Sequence, residues 1–405
     1  MSTFASLPPE LLNRILLDVD SGTLVSLCRT ARIFIDPAQY ILYAHIRLAS
    51  ESLNSWCTAV RNHRHLAQRA HSLHVSLPHS SDPPEEVHHA LRACVNLTEL
   101  RISCDSPPFS NPTWNPFDED VQDDDSEPCV HDSPWSFSDY GFHLTKFENM
   151  YFDPLQLRSL LAQQSHLRIL AGHHPFGVND EPDEHKLPRL IGLGAPLASI
   201  PSHLPLQRIQ LPLPSGWMPH DFLAPLSQLS RTLTTLNIVS LTPHHYSFTA
   251  SLRQLAAAVP GLEHIALAEP LQCFDPAENL VTIESPTNLI VLFPKLHTFT
   301  LISRNVMYLK ASLDPTQATN LNWHSLAGPL YTLSSPGELR KVALDTMAAG
   351  TSPCLWRVAI GAQWKANAER LCTVTRELVG GKAVGEAAVQ ENSTIGFESL
   401  SMFWV

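Results

Sequence analysis

The chain has 405 residues, room for two or three domains or for one small domain joined to an elongated one. Its 44% hydrophobic content excludes global disorder, and 39 acidic against 27 basic residues, a formal charge of −12, argues against nucleic acid or an anionic membrane surface as the main partner. Eight cysteines without short regular spacing, no apolar leader and no apolar run near the ~20 residues of a membrane span predict a soluble intracellular protein, cytoplasmic or nuclear, with reduced and mostly buried thiols.

The first fifty residues read as three short amphipathic helices. Pro9 opens the first, because proline fits the first helical position, with Ser6 or Leu7 near the cap. Leu11, Leu12, Ile15, Leu16 and Val19 recur at helical spacing and form a wide apolar stripe. Ser21 is the expected cap of the second helix, with Leu24, Leu27, Cys28 and Ala31 on one side. Asp36 followed by Pro37 is the expected start of the third, with Ile41, Leu42 and Ile46 inward. So small a bundle holds more apolar surface than it can bury alone, so part of that surface must meet a partner or the rest of the chain.

The run Leu7-Pro8-Pro9-Glu10-Leu11-Leu12-x-x-Ile15-Leu16, then Leu27-Cys28-Arg29, then Leu42-Tyr43-x-x-Ile46, closely resembles an F-box over Leu7 to Leu48. Ile33 and Ile35 stand where that family usually carries charged residues. The resemblance implies a three-helix F-box domain over residues 1–49, docking on the Skp-type adaptor and, through it, on the cullin of a cullin–RING ubiquitin ligase. It also implies that Leu7, Pro8, Leu11, Ile15, Leu16, Leu24, Leu27 and Phe34 form the adaptor-binding core, with Cys28 filling a tight spot between helices. Without the resemblance, the same residues make a three-helix cap on a larger domain.

Residues 50–69 read as a linking helix, with Leu53, Trp56, Cys57, Val60 and Leu66 inward. From residue 70 to 379 one pattern returns: apolar, two others, apolar, one other, apolar. It stands at Leu97-x-x-Leu100-x-Ile102, Leu206-x-x-Ile209-x-Leu211, Leu233-x-x-Leu236-x-Ile238, Leu262-x-x-Ile265-x-Leu267, Leu296-x-x-Phe299-x-Leu301 and Leu355-x-x-Val358-x-Ile360. Weaker copies begin at Ala70, Leu144, Leu167 and Leu190. The alternating half of each copy has strand periodicity, and the leading residue tucks the turn into the core. Helical pieces lie between, at Pro84–Ala93, Leu252–Val259 and Pro336–Met347, the last capped by Ser335.

Strand, turn, helix and return at steps of about 20–29 residues make a leucine-rich-repeat unit. The steps from 100 to 147 and from 301 to 355 are longer and hold an insertion or a degenerate repeat. Asp105, Leu241, Pro270 and Arg304 stand where the usual Asn or Cys would follow the strand, so the region resembles the divergent repeats of large fungal F-box families. The fold class is therefore α+β or α/β: a small helical F-box followed by an irregular leucine-rich-repeat-like α/β solenoid, with a compact α/β fold as the alternative.

Residues 105–140 form an insertion whose acidic run, Asp118 to Glu127, cannot build a core and is expected to be disordered. Trp114, Phe117, Trp135, Phe137 and Tyr140 flank that run and could pin its feet. Prolines cluster between units, as at Pro201 and Pro205 or Pro212 and Pro214, and keep the returns irregular. Residues 380–405 read as a tail whose apolar end, Met402-Phe403-Trp404-Val405, caps the last repeat.

Twenty-one histidines invite a metal reading, but the pairs His63/His65, His88/His89, His173/His174 and His244/His245 lack the spacing and added carboxylate of a zinc protease. Cys129 and His131 have no second pair. Gly380-Gly381-Lys382 lacks the flanking residues of a P-loop, and there is no Gly-x-Ser-x-Gly elbow. No metal, cofactor or active site of its own is expected. The function expected is a substrate receptor that holds an unidentified protein by its repeats. From a different class, the alternative is a non-degradative interaction scaffold.

Overall fold

The computed structural model describes residues 7–77, 85–104, 140–152, 154–172, 187–196, 199–201, 204–212, 219–239, 247–268, 283–284, 286–303, 307–309, 330–332, 336–365, 368–392 and 400–405. The acidic run, four of its five flanking aromatics, Ser335 and the four residues following the repeat strands lie outside them. The described residues divide into two units, one running to residue 189 and the other starting at residue 190.

The first unit opens with α1 (Pro9–Leu16), α2 (Ser21–Thr30) and α3 (Arg32–Ala44). Proline does open α1, but the cap residue is Pro8, in extended conformation and without a side-chain cap bond. Asp20 rather than Ser21 caps α2: its carboxylate accepts the Thr23 N–H at 3.0 Å and the Thr23 hydroxyl at 2.6 Å. The Thr23 bonds hold the Asp20 carboxyl below its ordinary pKa. A carboxylate at a helix N-terminus also gains from the dipole, which a serine hydroxyl does not.

The third helix starts at Arg32, five residues before the expected proline, and encloses Pro37. Proline inside a helix forfeits one backbone bond. The loss is offset by packing: Ala38 is sealed against Leu12, Leu16 and Leu24, with Phe34, Ile41 and Leu42 around them. Asp36 is not a cap either. Its carbonyl accepts Arg69 Nη1 at 2.7 Å and its carboxylate pairs with Arg69 Nη2.

Ile46, expected on the third helix, lies instead on a strand, β1 (His45–Leu48). It leads directly into α4 (Ser50–Asn62), the short α5 (Arg64–Ala67) and β2 (Ser72–Leu77). The single linking helix is thus broken at His63, though Leu53, Trp56, Cys57, Val60 and Leu66 are all buried as expected. The unit continues with α6 (Glu85–Ala93), β3 (Glu99–Cys104), β4 (Lys146–Asn149), α7 (Pro154–Gln163) and β5 (Ile169–Gly172). β1 to β5 pair in sequence order and all in parallel. Ile46, Leu73, Leu100, Phe147 and Leu170 stand in one register row, all buried.

Of the aromatics flanking the acidic insertion, Tyr140 is described. It stacks on Phe142 with centroids 4.9 Å apart, and its hydroxyl meets His88 Nδ1 at 2.6 Å.

The second unit begins with β6 (Gly192–Gly194), β7 (Arg208–Pro212), α8 (Pro219–Gln228), β8 (Thr235–Val239), α9 (Ser247–Ala258) and β9 (His264–Ala268). β10 (Ile283–Glu284), α10 (Pro286–Ile290), β11 (Thr298–Ser303), β12 (Met307–Leu309) and β13 (Leu330–Thr332) follow. α11 (Pro336–Ala349), β14 (Arg357–Lys365), β15 (Ala368–Val379) and β16 (Lys382–Asn392) complete the described elements. β6, β7, β8, β9, β11 and β14 are neighbours in that order and parallel; β15 and β16 extend the sheet antiparallel. The long step after Leu301 holds α11 and two strands of a separate small sheet ordered β10-β12-β13. Leu193, Ile209, Leu236, Ile265, Phe299 and Val358 form one buried register row, and Leu211, Ile238, Leu267, Leu301 and Ile360 a second.

The corner before each strand repeats as well. The carbonyl of His71 accepts the N–H groups of Thr98 and Glu99, and that of Thr98 accepts Thr145 and Lys146. In the second unit Gln207 takes Thr234 and Thr235, Thr234 takes Glu263 and His264, and Glu263 takes His297 and Thr298. Threonine hydroxyls at Thr98, Thr145 and Thr234 add a third donor, at 3.0, 3.1 and 3.3 Å.

Residues 380–392 are a hairpin arm rather than a tail. Gly380 and Gly381, at φ +59° and +78°, make the two-residue loop joining β15 to β16, and the Val379–Lys382 pair closes it. A Cβ at either glycine meets nothing within 4 Å, so the cost of substitution is conformational. Gly381→Ala is expected to lower stability by about 1–2 kcal/mol, read as the urea unfolding midpoint. Among the described residues, no helix is long and apolar enough to cross a membrane.

Candidate functional site

The first helix is apolar on two adjacent faces, and the fold uses one of them. Leu12 and Leu16, one turn apart, join Leu24 and Ala38 in a sealed cluster. Leu11 and Ile15, also one turn apart but about 100° around the helix, are 50% and 47% exposed. Pro8, the cap residue just before the helix, is exposed as well. On the other two helices Val25, Ile33 and Tyr40 are exposed.

The nine residues grouped by the F-box resemblance therefore separate. Leu16 and Leu24, each 2% exposed, are bundle core and cannot touch a partner unless the bundle opens, which corrects their place on a docking surface. Leu27, Cys28 and Phe34 are half-buried against that core, so Cys28 does sit between helices. Leu7 is half-buried. The surface that remains is Pro8, Leu11 and Ile15. Spacing alone does not separate the pairs Leu11/Ile15 and Leu12/Leu16, which are identical i, i+4 patterns offset by one residue.

A second surface lies on the strands, at positions alternating with the leucine-type rows. In the first unit this face is polar and internally paired: Lys146 Nζ meets Glu99 Oε1 at 2.8 Å, and Arg101 Nε meets Glu148 Oε2 at 3.4 Å. Ser103 Oγ lies 3.0 Å from His74 Nε2 and 3.2 Å from Ser76 Oγ.

In the second unit the corresponding face carries Arg208, Asn237, Thr298 and Thr300, and part of it is covered. Leu400, Ser401, Phe403 and Trp404 are buried. Leu400 packs on Ile302, Ala359 and Leu371, with Ala268 beside them. The apolar end was expected to cap the last repeat; it lies instead across β7, β8 and β11, where Arg208 and Thr300 donate to its carbonyls and Asn237 to its Ser401 hydroxyl.

The histidine pairs have local explanations where they are described. His63 and His65 are exposed, His88 bonds Tyr140, and His89 lies 3.4 Å from Glu85 one turn away. His173/His174, His244/His245, Cys129 and His131 lie outside the described residues. A closer group was not apparent from spacing, because parallel register brings it together: Glu263, His264 and His297 place ligand-capable atoms within 4.8 Å of one another. His264 Nδ1 is 2.9 Å from Thr298 Oγ1, and its ring stands edge-on to His297 at 5.5 Å. Burial, then the neighbouring His297 and the Arg208 guanidinium, pull the His264 pKa from 6.5 to about 4. Arg208 likewise opposes a cation there, so the group reads as a hydrogen-bonded corner.

That depressed pKa fixes the direction of a pH effect. The unfolded chain takes up a proton near pH 6.5 that folded His264 refuses until about pH 4. His264 therefore costs no stability above about pH 6.5 and an increasing amount as pH falls from there towards 4. His264→Gln is expected to flatten this part of the profile of urea midpoint against pH.

Burial holds three thiols in the unreactive protonated form: Cys57 is pushed up to about 11, Cys94 to about 12 and Cys372 to about 11.

The fold and its surfaces define a mixed α/β protein of successive strand–helix units led by a helical bundle with a bare apolar stripe. No family model matches the chain, and no curated protein sequence matches it.

Proposed function

We propose that this protein is the substrate-recognition subunit of a cullin–RING ubiquitin ligase, its N-terminal bundle an F-box and its strand–helix units an irregular leucine-rich-repeat-like solenoid. The stripe Pro8, Leu11 and Ile15 binds the Skp-type adaptor, the adaptor binds the cullin, and a strand face holds a protein substrate. Ubiquitin transfer belongs to the partner subunits, so the chain contributes binding and no catalysis, in the cytoplasm or the nucleus.

The observation that carries the reading is the unequal use of α1. Leu12 and Leu16 are sealed within the bundle, while Leu11 and Ile15 lie half open beside them. Two aliphatic side chains one turn apart, following a rigid Pro-Pro pair, form a preorganised apolar ridge that loses little entropy on docking. The motif order across Leu7 to Leu48 names the partner such a ridge would meet.

Affinity purification of the tagged full-length chain tests this. Recovery of cullin together with adaptor is the expected result. Adaptor without cullin would instead support the non-degradative scaffold, and recovery of neither would support a helical cap.

A further inference from the structure

The six C-terminal residues are bound in the manner of a ligand. Four of them are buried on a face that the repeat pattern does not need for its own core: Leu236 and Ile238 point to the core from β8, whereas Asn237, between them, points to the C-terminal segment. Thr300 stands likewise between Phe299 and Leu301 on β11, and Arg208 beside Ile209 on β7.

Those three side chains supply donors. Asn237 Nδ2 donates to the Ser401 hydroxyl, Arg208 Nη1 to the Phe403 carbonyl at 3.4 Å, and Thr300 Oγ1 to the Leu400 carbonyl at 3.5 Å. Gln210 Oε1 accepts from the same Asn237 amide at 3.2 Å and fixes its orientation. The Ser401 hydroxyl in turn accepts the Phe403 N–H at 3.1 Å and folds the segment into a turn. An apolar patch of Ala268, Ile302, Ala359 and Leu371 receives Leu400. Two backbone carbonyls, one small hydroxyl and one aliphatic side chain are each met by a separate part of the face, while Phe403 and Trp404 are buried edge-on to each other.

We infer that this face of the second unit is a peptide-binding site, that the chain's own C-terminus is its resident occupant, and that a partner polypeptide presenting Leu-Ser-x-aromatic-aromatic displaces it. Donors directed at carbonyls tolerate sequence variation, while Asn237 and the patch select the serine and the aliphatic residue. A segment tethered to its own site competes at a high effective concentration, so the intact chain resists weak peptides and yields to strong ones. The inference deepens the receptor reading, and rests on it for the claim that the displacing polypeptide is the substrate.

The test uses a fluorescein-labelled peptide of residues Leu400–Val405 and two forms of the protein. One is truncated after Ser399; the other is full-length with a protease site inserted between residues 393 and 399, cut only after folding. Saturable binding is expected to both, at micromolar Kd and at least about tenfold tighter than to the intact chain. A Ser401→Ala or Phe403→Ala peptide is expected to bind at least about tenfold more weakly. Failure of the peptide to bind either form while each keeps its circular dichroism overturns the inference. So does equal binding to cut and intact protein, and so does unfolding of the cut chain, which would make the segment a core element. No arm involves the adaptor, so this proposal and the ligase reading can fail separately.

Discussion

Replacing Leu11 and Ile15 together by aspartate is expected to weaken adaptor binding at least about 100-fold while the melting temperature stays within a few degrees of wild type. Full burial of one aliphatic side chain is worth ~1.5–3 kcal/mol, and each of these two has about half of its surface left to bury. A carboxylate placed in an apolar interface adds a desolvation cost. Together these exceed the ~2.7 kcal/mol that a 100-fold change in Kd requires. Half-exposed positions on a helix exterior accept a charge without cavity or clash, so the fold is spared. Leu16→Asp is the instructive contrast. It puts the charge among Leu12, Leu24 and Ala38, opens the bundle, and would abolish binding for a reason unrelated to the interface. Titration calorimetry with a purified Skp-type adaptor, beside thermal melts of each variant, separates the two effects.

Phe299→Ala is expected to cost about 3–5 kcal/mol, a large share of the about 5–15 kcal/mol that holds a domain together. Phe299 is fully buried in the register row between Ile265 and Val358, and the parallel neighbours on both sides hold the strand spacing, so the vacated volume cannot close. Leu378→Ala, on the exposed hairpin arm, is the control and is expected to change stability by less than about 0.5 kcal/mol. Equal urea midpoints for the two variants would show that the repeat rows do not carry the core.

The rows themselves were legible in the sequence. Each copy of the pattern, down to the weak ones beginning at Ala70 and Leu190, falls on buried positions, its leading residue in the corner and its middle residue on the strand, because a leading residue at −3 and a third at +2 are a geometric requirement of turning from a corner into a strand. One copy was missed. Tyr43-x-x-Ile46-x-Leu48 begins with tyrosine and runs on from a helical stretch, so its period changes from 3.6 to 2 without a break. The threonine that follows the leading leucine at Thr98, Thr145 and Thr234 was a signal present in the sequence and unread. Its hydroxyl caps the corner carbonyl of the preceding unit.

The candidate surfaces were less legible, for physical reasons. Spacing places Leu11, Leu12, Ile15 and Leu16 on one broad stripe, and which half is sealed depends on where α3 lies. Packing moved that helix five residues ahead of the proline expected to start it. The contact of Ser401 with Asn237 spans 164 residues, beyond any local pattern. Likewise Glu263, His264 and His297 form a group only once β9 and β11 pair in register.

Hydrogen–deuterium exchange on the full-length chain mixed with a Skp-type adaptor, with size-exclusion light scattering on the same sample, tests the central claim most directly. A one-to-one complex with slowed exchange across Pro9–Leu16 is the result expected from the bare stripe. Separate elution of the two proteins at micromolar concentration, or a complex in which α1 exchanges as fast as in the free chain, would contradict it.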